Sequence, residues 1–298
     1  MLNTLTMTPE QEQDARAKVF YLLKKWTSFT FLDHAVGLYR DFLGAYAKQL
    51  DTPSPNQKDL ENWYVNSFLW RAGQMEDGVD LLGQGRDKLA AYRGLVTGGE
   101  FSSYLFGRAA SEWMVAYDPF FQKLGARVVR FDRSIIAEDY VHGALITHLS
   151  LEALKCTGNF NFSYRLAGKS ESGGGRIFKH WTYESLFQES PKPGWPNWPP
   201  GRSYPAELPP CPPKNESREG EVYSDQEIPV EGIWEPWFSV GKVGCPNYFL
   251  KGSVAHKYLL EGTNDEQVVR WRLLWEDKRY EDGSVPAEEK TYFPRPVA

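Results

Sequence analysis

The sequence predicts an α+β protein, with an N-terminal helical bundle packed on a smaller, loop-rich antiparallel β C-terminal half. Three observations lead there. No proline falls between Pro55 and Pro119, or between Pro119 and Pro191, so nothing breaks helices over those stretches. Ten of the 23 residues from 191 to 213 are proline, which allows no regular structure but polyproline II. Beyond that segment Val269, Trp271 and Leu273 alternate with Arg270 and Arg272, the period of a half-buried strand. The expected division is a helical domain over 1–157 and a β-rich domain over 158–298 that carries the proline-rich strap.

Thr8-Pro9-Glu10-Gln11 is a helix start: Thr8 caps, Pro9 suits the first turn and Gln11 reaches back. Ala15, Val19, Leu22, Leu23 and Trp26 then share one face. The pattern breaks at Thr27–Thr30, and a second helix carries Leu32, Val36, Tyr39, Phe42, Leu43 and Tyr46. Ser54-Pro55-Asn56-Gln57 repeats the start signal for a third helix through Leu60, Trp63, Tyr64 and Phe68. Gly78 and Asp80 are expected to interrupt before a fourth helix marked by Val79, Leu82, Leu89 and Tyr92. Phe101 to Met114 gives a fifth, and Ile135–Leu154, apolar on more than one face, a central helix. Gly158–Leu166 reads as extended, and 167–176, with three consecutive glycines, as a polar loop.

The stretch Ile228–Tyr248 is expected to organise the chain. Pro229, Pro236 and Pro246 fix φ, while Gly232 and Gly244 permit angles that other residues avoid. It is too interrupted for helix or long strand, and is expected to be a rigid loop pinned by Trp234. Short strands follow at Asn247–Lys251, Ser253–Leu260 and Gln267–Trp275, with a turn at Asp282-Gly283.

Hydrophobic content of 41% and charged content of 24% describe a soluble globular protein, and aromatics reach 15%. The net charge of -5 argues against duplex binding. Residues 214–235 hold seven acids against two bases, an excess equal to the whole chain's imbalance, and 276–290 hold six against three. Three cysteines have neither disulfide-framework nor zinc spacing. The N-terminal residues lack the features of a signal peptide and no apolar run could span a membrane, so the expected compartment is a reducing cytoplasm.

No constellation commits the chain to catalysis. Glu138, Asp139 and His142 could share a helix face, but that helix is mostly apolar, and His148 falls off the face. Gly168-Lys169-Ser170 lacks the earlier glycine of a phosphate loop, because position 163 is serine. Glu288 and Glu289 are adjacent and need not converge. Trp195, Trp198, Trp234 and Trp271 fit a sugar platform or a packed core equally well.

The series Ile228-Pro-Val-Glu-Gly-Ile-Trp-Glu-Pro236, Gly244-Cys-Pro-Asn-Tyr-Phe-Leu250, Trp271-Arg-Leu-Leu-Trp275, Asp277-Lys-Arg-Tyr280, Asp282-Gly283, Pro286 and Glu288-Glu289 resembles the immunity protein 71 and 72 families of polymorphic toxin systems. The segment Leu23-Lys-Lys-Trp-Thr-Ser28, with Leu38-Tyr39, is similar to the start of those proteins. The resemblance implies an antitoxin that neutralises a cognate effector, commonly one delivered by type VI secretion. It implies no catalytic, cofactor or metal residue, and the expectation is a non-enzyme without cofactor that binds neither nucleic acid nor membrane. A cytoplasmic nuclease is the expected target, since an acidic face suits a basic nuclease. Expected contacts are Glu227, Glu231, Trp234 and Glu235, then Asp282, Glu288 and Glu289; the counter-reading makes Trp234 core and leaves only carboxylates for the partner. Two alternatives stand beside this: a hydrolase with its site under the proline strap, and a carbohydrate- or peptide-binding module using exposed tryptophans.

Overall fold

In a computed structural model, the described residues are 3–51, 53, 57–92, 94, 182–183, 204–263 and 265–293. They contain N-terminal helices and a C-terminal antiparallel sheet, an α+β arrangement. The chain divides into two units, each assembled from separate stretches: Met1–Thr27 with His148–Lys278, and Ser28–Thr147 with Arg279–Ala298. The expected boundary at 157/158 lies outside the described residues, as do the fifth helix, the central helix at 135–154 and the glycine loop.

The first unit opens with α1 (Pro9–Trp26). Its start is a capping box: Gln11 N–H donates to Thr8 Oγ1 at 3.3 Å and Thr8 N–H to Gln11 Oε1 at 3.0 Å. The helix ends where Thr27 N–H closes on Leu23 O, with Lys24 and Lys25 in the last turn, where cations suit the dipole. The same unit holds β1 (Val222–Tyr223), β2 (Gly232–Trp237), β3 (Asn247–Phe249), β4 (Tyr258–Leu259), β5 (Glu266–Gln267) and β6 (Arg270–Glu276). Four strands form a sheet in the order β1-β6-β2-β3, and β4 pairs with β5; every pairing is antiparallel. Residues 204–213, the described part of the strap, are neither helix nor strand.

The expected rigid loop at 228–248 is therefore corrected: it contains the central strand β2 and part of edge strand β3. Pro236 is tolerated there for a geometric reason. In a strand, a residue's N–H and C=O point to the same side. The Pro236 carbonyl accepts from Gly244 N–H at 2.8 Å, beyond the end of β3, so the missing donor faces that side and β6 loses no bond. Gly232, at φ +155°, is needed because a Cβ there would lie 2.1 Å from the Trp275 carbonyl oxygen. Trp234 is buried, as a pin should be.

Simple alternation in β6 also fails. Ile233 faces Trp275 while Trp234 faces Leu273, so Leu274 is the extra residue of a bulge. Arg272, expected on the wet face, is buried. Its Nε donates to Glu221 Oε2 at 3.2 Å and its Nη1 to the carbonyls of Asn215 and Glu216. Its guanidinium lies 4.2 Å from the centroid of Trp237. The expected strand at 253–260 shrinks to β4 and one bridge at Val254.

The second unit holds α2 (Phe29–Leu50), α3 (Gln57–Trp63), a π-helical turn (Tyr64–Leu69) and α4 (Trp70–Gly83), continuous from 57 to 83. Tyr64 and Phe68 both meet Tyr46, at 5.6 and 5.2 Å between ring centroids. The expected break at Gly78 and Asp80 does not occur. Gly78 is buried within α4, and a Cβ on Gly94 would lie 3.3 Å from its Cα, so both glycines permit a close backbone approach. The break falls at Gln84-Gly85, and residues 88–92 are helical again.

Candidate partner-binding site

Of the seven residues expected to reach a partner, the structure exposes Glu227 and Asp282 and half-buries Glu231 and Glu288. Trp234, Glu235 and Glu289 are 1%, 0% and 1% exposed. Glu227 and Glu231 belong to the first unit, Asp282 and Glu288 to the second.

The buried carboxylates are structural. Glu235, on β2, receives Arg16 Nε at 2.5 Å, and both side chains are buried. Arg16 Nη2 also donates to Pro212 O at 3.2 Å, while Lys214 pairs with the buried Glu12. One helix face, a strand and the end of the proline strap thus meet through four charges. Burial works to lower the Arg16 pKa, but the Glu235 hydrogen bond and charge hold it above its ordinary value. At Glu235 burial dominates and pushes the carboxyl up, against the pull of Arg16. Cys211, beside this group, is pushed up to about 11, chiefly by burial, and is therefore a poor nucleophile.

Glu261 does the same for the N-terminal segment. It accepts from Thr4 Oγ1 at 2.8 Å, Thr4 N–H at 3.2 Å and Tyr258 Oη at 2.5 Å. In the second unit Glu289, in a 3-10 turn (Ala287–Thr291), accepts from Thr30 N–H at 3.0 Å and from the Tyr280 hydroxyl. Tyr280 in turn accepts from Phe29 N–H at 2.7 Å, and Ser28 Oγ from Phe31 N–H at 3.1 Å. The first turn of α2 is thereby capped from a segment about 250 residues away, with a carboxylate at the positive end of its dipole.

The remaining candidates resolve in part. Trp234 and Trp271 are core, which removes half of the sugar platform; Trp195, Trp198, Glu138, Asp139, His142, His148 and the Gly168-Lys169-Ser170 segment lie outside the described residues. Among the described residues no group of histidine, cysteine, aspartate and glutamate is placed to hold a metal, and no helix is long and apolar enough to cross a membrane. The burial of Arg16 is legible in the sequence. Arg16 follows Glu12 by four residues on the face that continues through Val19 and Leu23, and two charges on an apolar stripe signal a buried pair.

No curated protein and no solved structure matches the chain. Two family matches cover most of it. Residues 213–293, the region of the sheet and the α2 cap, match immunity protein 72. Residues 10–193 match immunity protein 71, and the chain belongs to that family.

Proposed function

We propose that this immunity protein binds and neutralises a basic nuclease toxin delivered by type VI secretion, in the cytoplasm, through exposed carboxylates and without chemistry of its own. One observation carries the reading. Glu221 and Glu235 of the acidic segment 214–235 are taken up by the fold, but Glu216, Glu219, Asp225 and Glu227 are exposed, against an exposed Arg218. Glu231, and Asp282 and Glu288 on the second unit, add carboxylates that solvent reaches. Acidic groups arranged to resemble phosphates attract the nucleic-acid-binding face of a nuclease, speed encounter and obstruct the site where substrate would lie. The test is co-expression with the toxin domain encoded beside this chain's gene. Growth should be rescued, and the purified pair should show nuclease activity that falls to background at one equivalent of this protein. A toxin that is not a nuclease, or rescue without binding, refutes it.

A further inference from the structure

Two of the large apolar side chains exposed on the described surface lie on or just beside the β1–β6 pair. Tyr223 on β1 is 46% exposed and Val268 is 65% exposed. Tyr223 pairs with Arg270, and burial alternates from Val268 exposed, through Val269 buried and Arg270 half-buried, to Trp271 buried. Arg270 therefore lies on the face of Tyr223, and Val268 stands two residues before β6, next to the point where Ser224 N–H still donates to Val269 O at 3.0 Å. The edge beside them is closed to strand addition: Tyr223 N–H donates to Gln226 Oε1 at 2.9 Å, and Gln226 N–H to Tyr223 O at 3.0 Å. A partner must use the side chains rather than the backbone.

Four exposed carboxylates flank Tyr223 in sequence, Glu216 and Glu219 before β1 and Asp225 and Glu227 after it. Asp225 takes φ +71°, which turns the chain sharply after β1, and it meets Lys257 at 3.6 Å. An aromatic anchor inside a charged rim is the anatomy of a protein-binding hot spot.

Building on the immunity reading, we infer that Tyr223 and Val268 are the apolar anchor of the toxin-docking surface, and that the rim of Glu216, Glu219, Asp225 and Glu227 selects a toxin whose matching surface is basic. The anchor governs how long the complex lasts, and the rim governs how fast it forms.

The experiment measures binding kinetics of the full chain against an inactive variant of the toxin domain encoded beside it. Tyr223→Ala with Val268→Ser should raise the dissociation rate at least about tenfold and leave association nearly unchanged. Glu216→Lys, Glu219→Lys and Glu227→Lys together should slow association about tenfold at low salt and flatten its salt dependence. Val240→Ser, an exposed valine in the turn between β2 and β3, is the control and should change neither rate. Melting curves establish folding; the charge-reversal triple, confined to exposed side chains, carries the test if the double variant does not fold. Wild-type binding by both folded variants overturns the docking surface and leaves the immunity reading standing. No binding or protection by the wild-type chain against that toxin overturns both.

Discussion

The buried pair of Arg16 and Glu235 offers the sharpest test of how the first unit is held together. Their atoms meet at 2.5 Å, with side-chain exposures of 7% and 0%. Glu235 Oε2 has no hydrogen-bond partner among the described residues, so Arg16 is its principal compensation. Arg16→Met leaves a carboxylate in the interior and should cost about 3–5 kcal/mol, the range for stripping one member from a buried pair. At an m-value of about 2–3 kcal/mol/M, the urea midpoint should fall by roughly 1–2.5 M. Arg16→Met with Glu235→Met removes both charges and should recover most of that loss, because the desolvation cost vanishes with them. Arg40 and Glu76 provide the contrast: at 2.6 Å the geometry is nearly the same, but side-chain exposures are 48% and 38%. Arg40→Met should cost under about 1 kcal/mol. Urea titrations followed by circular dichroism measure all four proteins. The reasoning fails if Arg16→Met costs no more than Arg40→Met, or if the double variant loses as much as Arg16→Met alone.

Glu289→Ala leaves Thr30 N–H and the Tyr280 hydroxyl without their carboxylate, and should destabilise by about 1–3 kcal/mol in thermal unfolding. Gly232→Ala places a methyl 2.1 Å from the Trp275 carbonyl and should cost more than about 2 kcal/mol, whereas Gly73→Ala in α4 meets nothing within 4 Å and should add about 0.5–1 kcal/mol; two melting curves decide. Burial pushes Glu261 above its ordinary 4.5, outweighing its hydrogen bonds from Tyr258 and Thr4. A raised folded value means that the folded chain takes up a proton before the unfolded chain does. Stability from this group is full below the ordinary value and is lost as pH rises through the folded one. The wild-type chain should thus gain stability relative to Glu261→Gln as pH falls from about 7.5 to about 5; a difference in midpoint that stays constant, or that shifts in favour of Glu261→Gln, counts against it.

The sequence by itself determined features whose physics is complete within a few residues. The capping box joins Thr8 and Gln11, three positions apart, and both of its hydrogen bonds form as read. The breaks near Thr27 and at Asp282-Gly283, where Gly283 takes φ +74°, are local backbone chemistry of the same kind. The motif order in 228–289 carried the family resemblance without any fold, because spacing survives in the linear chain. Tertiary structure alone decided which glutamates face solvent. Glu227 and Glu289 look alike in sequence, yet one is exposed and the other caps a helix 259 residues away. The partner of Glu235 lies 219 residues off, and that of Glu261 lies 257 off. The same holds for β2: its prolines and glycines read locally as a loop, and only pairing with β6 and β3 makes it the centre of the sheet. Burial and pairing are set by what the chain brings together across such distances, and no local pattern encodes that.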